Sequence, residues 1–493
     1  MISPSPETPP PANSTSSDKL SFATKLAYGA GDMGPALTSG MMVFFLLFFF
    51  TNVAGLSAGL AGSVLMVGKI WDAVNDPMVG VLSDRTRSRW GRRLPWIALG
   101  AIPFGLLFCL QWLVPHFSDE VAINQYWLAG YYILIAILFN TFYTAVNLPY
   151  TALTAELTQD YNERTSLTSF RFAFSISGSI LALVLAQAIF SLIENDPIRQ
   201  YATLGIVGGI LAVLPFVWCL WGIRDRAIAI DSQRQPTNSA EETIPLWQQI
   251  KIVFSNRPFL FVVGIYLCSW LGVQLTAAII PYFVVTWMEL PDTTIPTVLI
   301  AIQGTALAML FPWSKASEYL GKKVVYFMGM GIWIVAEIGL FFLQPGQTGW
   351  MYVLAVMAGI GVSTAYLIPW SMLPDTIELD ELQTGQRREG VFYAFMVLLQ
   401  KFGLALGLFL VGQALEFSGF QESLPGKPIP VQPDSALMAI RIAIGPLPTI
   451  VLVAGLILAY FYPITRDVHA EIVLKLKERK RGQAQSSDEL VDD

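Results

Sequence analysis

The sequence has few charged residues. Only 13% of its 493 residues are Asp, Glu, Lys or Arg, whereas 54% are hydrophobic. Soluble domains carry about 25% charged residues, so this chain has too little polar surface to cover a soluble core. We therefore expect an integral membrane protein that is surrounded by the lipid bilayer and has no nucleic-acid partner.

Cysteine and histidine are scarce as well. Cys109, Cys219 and Cys268 lie in apolar runs and are expected to be small core residues, without disulfide or metal-ligand roles. His116 and His469 have no Cys or His neighbours at metal-binding spacing. The chain also has no Walker loop, paired-histidine motif or nucleophile elbow. We predict that it is not an enzyme and that it uses no cofactor beyond a coupling ion.

Long apolar segments dominate the chain. A membrane-spanning helix needs roughly 20 mostly apolar residues, and about twelve segments meet this requirement. The polar stretch 225–256, a predicted cytoplasmic linker, divides them into one bundle over 22–224 and another over 257–465. A disordered cytoplasmic tail at 1–21 and a second tail at 466–493 complete the predicted organisation. The expected spans lie near 23–53, 58–83, 94–115, 124–157, 165–192, 200–223, 257–288, 294–314, 322–344, 349–375, 388–417 and 438–463.

Basic residues occupy alternate loops. Five arginines lie between Arg85 and Arg93, and further Lys and Arg residues flank the linker and follow the last span. Residues 53–58 carry no charge, and 115–123 carry only Asp119 and Glu120. Because cytoplasmic loops are enriched in Lys and Arg, both termini are predicted to be cytoplasmic, in a plasma membrane or a bacterial inner membrane.

The two halves share an internal repeat. The segment Pro149-Tyr150-Thr151-Ala152-Leu153 has a counterpart, Pro369-Trp370-Ser371-Met372-Leu373, 220 residues later. Each segment lies in the fourth span of its half. Parallel repeats that meet at a central pathway are typical of major facilitator transporters. The expected fold is therefore all-α, with about twelve transmembrane helices in two six-helix, pseudo-symmetric bundles, and we expect a monomer.

Asp72 and Asp76 lie inside an apolar segment. Their four-residue spacing puts both carboxylates on one face of a helix, where two unpaired charges would cost several kcal/mol. A bound cation offsets that cost, and Asn75 and the Thr144 hydroxyl offer further polar atoms. Oxygen ligands suit Na⁺, and a carboxylate can carry H⁺ instead. A structural ion pair, with Lys69 or with a charge on another helix, is the alternative.

Other polar residues at membrane depth form a candidate substrate site. Lys401 is either a countercharge to a buried Asp or a substrate contact, and the two roles can coexist. Arg171 either binds substrate or is an interface arginine near the cytoplasmic end of its helix. Asp32 either binds substrate or caps or bridges helices near the cytoplasmic mouth. Cavity-lining candidates are Tyr143, Asn147, Tyr366 and Trp370.

Asp84, Arg92 and Arg93 lie in the basic loop after the second span. Their charges can pair in one conformation and separate in another, which predicts a gating latch. A plain orientation signal is the alternative.

Three segments resemble the glycoside–pentoside–hexuronide:cation symporters, the melibiose-carrier branch of the major facilitator superfamily. These segments are Thr24-Lys25-Leu26-x-Tyr28-Gly29-x-Gly31, Ile70-Trp71-Asp72-Ala73-Val74-Asn75-Asp76-Pro77 and Thr86-Arg87-Ser88-Arg89-Trp90-Gly91. The resemblance covers about residues 22–465. It implies that Asp72 and Asp76 bind the coupling cation and that Asn75 and Thr144 complete or tune the site. It also implies family roles for the buried lysine at 401, the fifth-helix arginine at 171, and Tyr366, where the melibiose carrier has a tryptophan near its sugar.

The sequence departs from the melibiose carrier where that protein holds its galactoside. Two acidic residues of the family correspond to Ala36 and Asn147 here. Alanine cannot accept hydrogen bonds from sugar hydroxyls, and asparagine replaces a carboxylate only in part. The cation residues are thus kept, whereas the galactoside contacts are not.

These observations predict a secondary active transporter that couples Na⁺ or H⁺ to symport of a small organic solute, a glycoside or a related sugar, by alternating access. The first alternative is a symporter of lysophospholipid or another anionic amphiphile on the same scaffold, held by Lys401 and Arg171. The second is a transporter-like sensor that moves nothing.

Overall fold

The computed structural model describes residues 20–158, 161–193, 196–233, 251–252, 254–385, 389–423 and 430–489. Most of the predicted tail 1–21, most of the predicted linker and the last four residues lie outside the described residues. Within these ranges the protein is helical, without strands. The helices are α1 (Phe22–Asn52), α2 (Ala58–Arg85), α3 (Leu94–Leu110), α4 (Val121–Leu157), α5 (Tyr161–Leu192), α6 (Pro197–Gln233), α7 (Arg257–Trp287), α8 (Thr294–Leu320), α9 (Lys322–Phe342), α10 (Thr348–Thr384), α11 (Glu389–Phe417), α12 (Asp434–Phe461) and α13 (Arg466–Glu489).

Ten of the described helices are long and apolar enough to cross a membrane. α3 is apolar but has only 17 residues. α2 has 28 residues, and Lys69, Asp72 and Asp76 lower its apolar character. With these two, the predicted twelve spans are present, six on each side of the linker.

Some helices extend beyond the predicted ends of the membrane spans. α6 continues to Gln233, past the predicted start of the linker, and α13 forms a helix in the predicted C-terminal tail. A helix satisfies its backbone hydrogen bonds internally, so it can continue after its side chains become polar. Hydropathy marks where the membrane ends and does not mark where the helix ends.

The first helix of each half is distorted at a similar place. α1 contains a π-helical turn at Met42–Leu46, and α7 ends in one at Phe283–Trp287. π-Helical turns are rare and often lie at functional sites. Here they accompany a contact between the halves, because the hydroxyl groups of Thr51 and Tyr282 are 2.7 Å apart.

The halves meet tightly at the ends of the helices that the loop charges place outside. The Gly59 amide donates to Glu416 at 2.9 Å, and its carbonyl accepts from Gln413 at 3.2 Å. A Cβ atom built on Gly412 would lie 2.5 Å from the Ala58 carbonyl oxygen. Only glycine allows α2 and α11 to approach this closely, as is common between membrane helices. The outer end is therefore closed in this conformation.

Candidate cation and substrate site

The two carboxylates of α2 meet a lysine from the opposite half. Lys401 Nζ on α11 lies 3.0 Å from Asp72 Oδ2 and 2.5 Å from Asp76 Oδ2. The Asp72 side chain is only 3% exposed, that of Lys401 19% and that of Asp76 29%. One ammonium group is thus shared by two carboxylates at the contact between the bundles. The countercharge role expected for Lys401 is the one the structure shows.

The Thr144 hydroxyl on α4 lies between the same carboxylates. Its Oγ1 atom is 3.2 Å from Asp72 Oδ1 and 3.0 Å from Asp76 Oδ1. A hydroxyl has a single proton to donate, so it can serve only one of the two oxygens at a time. The structure therefore gathers five oxygens around a small volume, four from the carboxylates and one from Thr144. Oxygen donors of this kind suit a hard cation.

Further polar residues lie next to the two carboxylates, and the sequence predicted only some of them. Asn75, a predicted cation-site residue, donates a hydrogen bond to the Asn140 carbonyl at 3.4 Å. Among the described hydrogen bonds, Asn75 makes none to Asp72 or Asp76. Lys69 donates to Asn140 Oδ1, also at 3.4 Å. Asn140, whose own amide donates to the Ala136 carbonyl at 2.7 Å, was missed from the sequence. The sequence signal that could have identified Asn140 is its position one helical turn before Thr144.

A cavity adjoins these polar residues. It has about 630 Å³ of empty volume, counting any part open to solvent, and lies among α1, α2, α4 and α11. Lys69, Asn140 and the predicted Tyr143 line it, together with Gln111, whose amide oxygen and nitrogen are both buried without a partner in the described structure. Unsatisfied buried amides are rare, so Gln111 brings unused hydrogen-bonding groups to the cavity wall, which sequence reasoning missed.

Asp32 and Arg171 form a second polar group inside the N-terminal half. The Arg171 guanidinium lies 3.6 Å from Asp32 Oδ2, 3.2 Å from Thr154 Oγ1 and 5.3 Å from the centre of the Tyr150 ring. These contacts support the helix-bridging alternative for Asp32. Arg171 Nε and the predicted Asn147 Oδ1 are nevertheless buried without described partners, so both retain capacity for a ligand.

The predicted Tyr366 and Trp370 belong to an aromatic cluster of the C-terminal half. The Tyr366 ring lies 5.9 Å from that of Trp270, and the Trp370 ring lies 5.8 Å from Tyr266 and 6.1 Å from Tyr393. Their partners Trp270 and Tyr266 on α7 and Tyr393 on α11 were not predicted, because nothing in the sequence shows which aromatic residues of different helices meet.

The three predicted latch residues come together where α2 ends and α3 begins. Arg93 is 2.9 Å from Asp84 and 2.8 Å from Glu156, and Arg92 is 2.6 Å from Glu156. The pairs named here lie within the N-terminal half, so they tie the loop after α2 to the end of α4.

The C-terminal half has a corresponding cluster. Lys322 lies 2.7 Å from Asp375 on α10, and His469 of α13 lies 2.8 Å from Glu378. The sequence does not reveal this pairing, because Lys322 and Asp375 are 53 residues apart along the chain. His469 joins α13 to the cytoplasmic end of α10.

A protein with twelve membrane-spanning helices in two joined bundles, with charged residues at the contact between the bundles, has the architecture of a major facilitator transporter. The chain belongs to the family described as MFS/sugar transport protein, whose model matches residues 27–466. It is a multi-pass membrane protein of the major facilitator type, and its relatives are symporters.

Three relatives illustrate the range of the family. An uncharacterized symporter, sll1374, of Synechocystis sp. is 52% identical over 96% of this chain and 99% of its own length. The putative glycoside/cation symporter YagG of Escherichia coli is 27% identical, over 92% and 94%. The sodium-dependent lysophosphatidylcholine symporter 1 of Gallus gallus is 26% identical, over 97% and 93%.

Solved structures share the fold. The nucleoside transporter NupG matches with a TM-score of 0.62 and 13% identity, over 90% of this chain and 100% of its own. A D-xylose–proton symporter matches with a TM-score of 0.61 and 15% identity, over 90% and 97%. At these identities the likeness concerns the fold alone, and it confirms the predicted all-α, two-bundle architecture.

Proposed function

We propose that this protein is a Na⁺-coupled symporter and that Asp72 and Asp76 bind the ion. The observation that carries this proposal is the bridge from Lys401 of one bundle to both carboxylates of the other. A coupling ion must bind where its presence changes how the two halves interact. A carboxylate pair of one half, bridged by a lysine of the other, meets that requirement. The word sodium in the name of the lysophosphatidylcholine relative supports Na⁺ over H⁺.

The charges suggest how binding and coupling are linked. Two carboxylates attract one cation strongly only when no other positive group neutralises them. Na⁺ therefore competes with the Lys401 ammonium for Asp72 and Asp76. When Na⁺ binds, Lys401 is released toward the space between the bundles, where it can meet a substrate. Each ligand then raises the affinity for the other by the same factor.

We propose a glycoside or a related sugar as the substrate. The sugar-transport description of the family and the glycoside/cation relative support this choice. The cluster around Tyr366 and Trp370 offers aromatic faces, and buried polar atoms of Asn147 and Arg171 have no described partner. Ligand sites commonly combine such apolar walls with a few polar groups. Ala36 and Asn147 exclude the two-carboxylate grip of the melibiose carrier, so the sugar would be held differently.

Alternating access completes the proposal. Rocking of the bundles would open the outer contact at Gly59 and Glu416 while the cytoplasmic latch of Asp84, Arg92 and Arg93 changes its pairs. The protein would act as a monomer in a plasma or bacterial inner membrane, with both termini in the cytoplasm.

A lysophospholipid is the second candidate substrate. The relative from Gallus gallus carries that substrate in its name, and Arg171 and Lys401 supply positive charge for a phosphate group. A thermal-shift panel of glycosides and lysophosphatidylcholine, each with and without Na⁺, separates the candidates. The substrate is the compound whose stabilising effect increases with Na⁺.

Proteoliposome uptake tests the coupling. Uptake driven by a Na⁺ gradient is measured for the wild type, D72N, D76N and the control D119N, which alters an acid that is fully exposed in an outer loop. We expect D72N and D76N to lose gradient-driven uptake and D119N to keep it. Undiminished Na⁺-driven uptake with both carboxylates replaced would refute the proposed ion site. Absence of counterflow for every compound would instead favour the non-transporting sensor.

A further inference from the structure

The C-terminal bundle encloses a carboxylate that the proposed mechanism does not use. Glu337, on α9, is fully buried, and its Oε1 accepts a hydrogen bond of 2.7 Å from Thr276 on α7. Its Oε2 has no partner in the described structure, and no ion pair to Glu337 is found among the described residues. A buried carboxylate without a positive partner costs several kcal/mol, and either a bound cation or a proton would remove that cost.

The atoms around Glu337 are also unsatisfied. Thr449 Oγ1 on α12 and Trp333 Nε1 on α9 are buried and face the Glu337 carboxyl group as hydrogen-bond donors, but their geometry falls short of a full hydrogen bond. Buried polar side chains nearly always find partners. Three helices thus direct polar groups at one small volume, and several of those groups remain without a direct bond. The Trp333 N–H can only donate, which suits it to hold one carboxylate oxygen.

The backbone of α12 is interrupted where it packs against the main chain of Glu337. The helix breaks at Gly445, between Asp434–Ile444 and Pro446–Phe461. A Cβ atom on Gly445 would lie 2.8 Å from the Glu337 carbonyl oxygen, so the break packs directly against α9. Pro446 and Pro448 have no N–H group, so the carbonyls four residues earlier, at positions 442 and 444, lack their helical donors. Interrupted membrane helices of this kind supply carbonyl ligands for Na⁺ in transporters.

We propose that Glu337 is the centre of a second Na⁺ site, separate from Asp72 and Asp76 and enclosed by α7, α9 and α12. The carboxylate supplies the charge, the hydroxyl groups of Thr276 and Thr449 supply neutral oxygens, and the break at Gly445 supplies carbonyl oxygens. Because the site lies within one bundle, it stabilises the packing of that bundle and is not displaced by Lys401.

Among the described residues, the charged groups of the neighbouring helices do not pair with Glu337, so the site is available to a cation. Arg441 of α12 is occupied elsewhere: its guanidinium donates to the Phe341 carbonyl at 2.8 Å and lies 4.6 Å from the centre of the Trp287 ring. The remaining charged residues of α7 to α10 that the structure describes lie at or near the cytoplasmic ends of those helices. They are Arg257, Lys315, Glu318, Lys322, Lys323, Asp375, Glu378, Asp380 and Glu381.

Na⁺-dependent thermal stability tests this site without any substrate. The full-length protein is purified as D72N/D76N, and its unfolding temperature is followed as Na⁺ replaces choline at constant ionic strength. We expect a saturable rise in this double variant, because the second site is intact. Adding E337Q should abolish the rise, whereas adding E318Q, the same change at an exposed acid of the same half, should preserve it. Adding T449V should raise the Na⁺ concentration at half-effect about fivefold, as expected for one lost oxygen ligand.

The outcomes distinguish this site from the proposed coupling site. A Na⁺ effect that is present in the wild type and absent in D72N/D76N would overturn the second site and leave the coupling site standing. The second site is also refuted if the effect survives in D72N/D76N/E337Q, or if acid pH, in place of Na⁺, produces the stabilisation. If E337Q fails to fold, T449V decides: an unchanged half-effect concentration counts against the proposal.

Discussion

Lys401 Nζ lies 2.5 Å from Asp76 Oδ2, and the two residues belong to opposite halves of the molecule. The same ammonium group is 3.0 Å from Asp72. This bridge lies in the middle of α2 and α11, whereas the other contacts between α2 and α11 described above lie at their outer ends. A change in the charge at Asp72 and Asp76 therefore acts directly on the packing of the two bundles.

Replacing Lys401 should make stability depend more strongly on Na⁺. K401M leaves two poorly solvated carboxylates without their ammonium group, and the loss of one partner from a buried pair costs about 3 kcal/mol. We expect a lower unfolding temperature than the wild type in choline buffer and a larger rise on adding Na⁺. K401R, which keeps the charge, serves as the control. Equal Na⁺ responses of K401M and the wild type would contradict competition between Na⁺ and Lys401.

Replacing Thr144 tests the neutral oxygen of the coupling site. T144V keeps the shape of the side chain but removes the hydroxyl that lies within 3.2 Å of both carboxylates. A lost hydrogen bond or ligand of this kind is worth about 1 kcal/mol, so the Na⁺ concentration at half-maximal uptake should rise about fivefold. T144S retains the hydroxyl and should behave like the wild type. A T144V protein with unchanged Na⁺ dependence would remove Thr144 from the site.

Gly412 should control the outer closure. An alanine there places Cβ 2.5 Å from the Ala58 carbonyl oxygen, which forces α2 and α11 apart. We expect G412A to populate an outward-open form, seen as a longer distance between spin labels at positions 117 and 431 in a cysteine-free protein. Both positions are exposed in outer loops of different halves. G130A is the control, since nothing lies within 4 Å of its Cβ; if the two variants give the same distances, glycine packing does not set the closure.

The outer closure should also respond to pH through Glu422, in the loop after α11. Burial raises the pKa of this carboxyl group, and the neighbouring carboxylate of Glu416 raises it further. A pKa that is higher in the closed form than in the exposed form means that closing binds protons. Closure is therefore favoured at low pH and weakens as the pH rises through the raised pKa. The same spin-label distance should lengthen with pH in the wild type and not in E422Q; identical pH profiles would exclude this role.

Particular residues show how far the sequence could be interpreted. The carboxylate pair was predictable, because the helical repeat places residues 72 and 76 on one face. Lys401 was predictable as a buried charge, but its partners were not. Glu337 was overlooked, because a single acid in an apolar helix looks like an isolated exception until its neighbours are known. Asn140, Gln111 and the aromatic partners of Trp370 were hidden for the same reason.

The sequence by itself determined the class of protein, the approximate spans and the acidic pair, because hydropathy and helical spacing are local properties of the chain. Only the tertiary structure decided which charges meet. Lys401 reaches α2 across more than three hundred residues of chain, and Glu337 meets Thr276 and Thr449 on two other helices. Such contacts depend on how the helices pack, and the packing is set by the shapes of many side chains together.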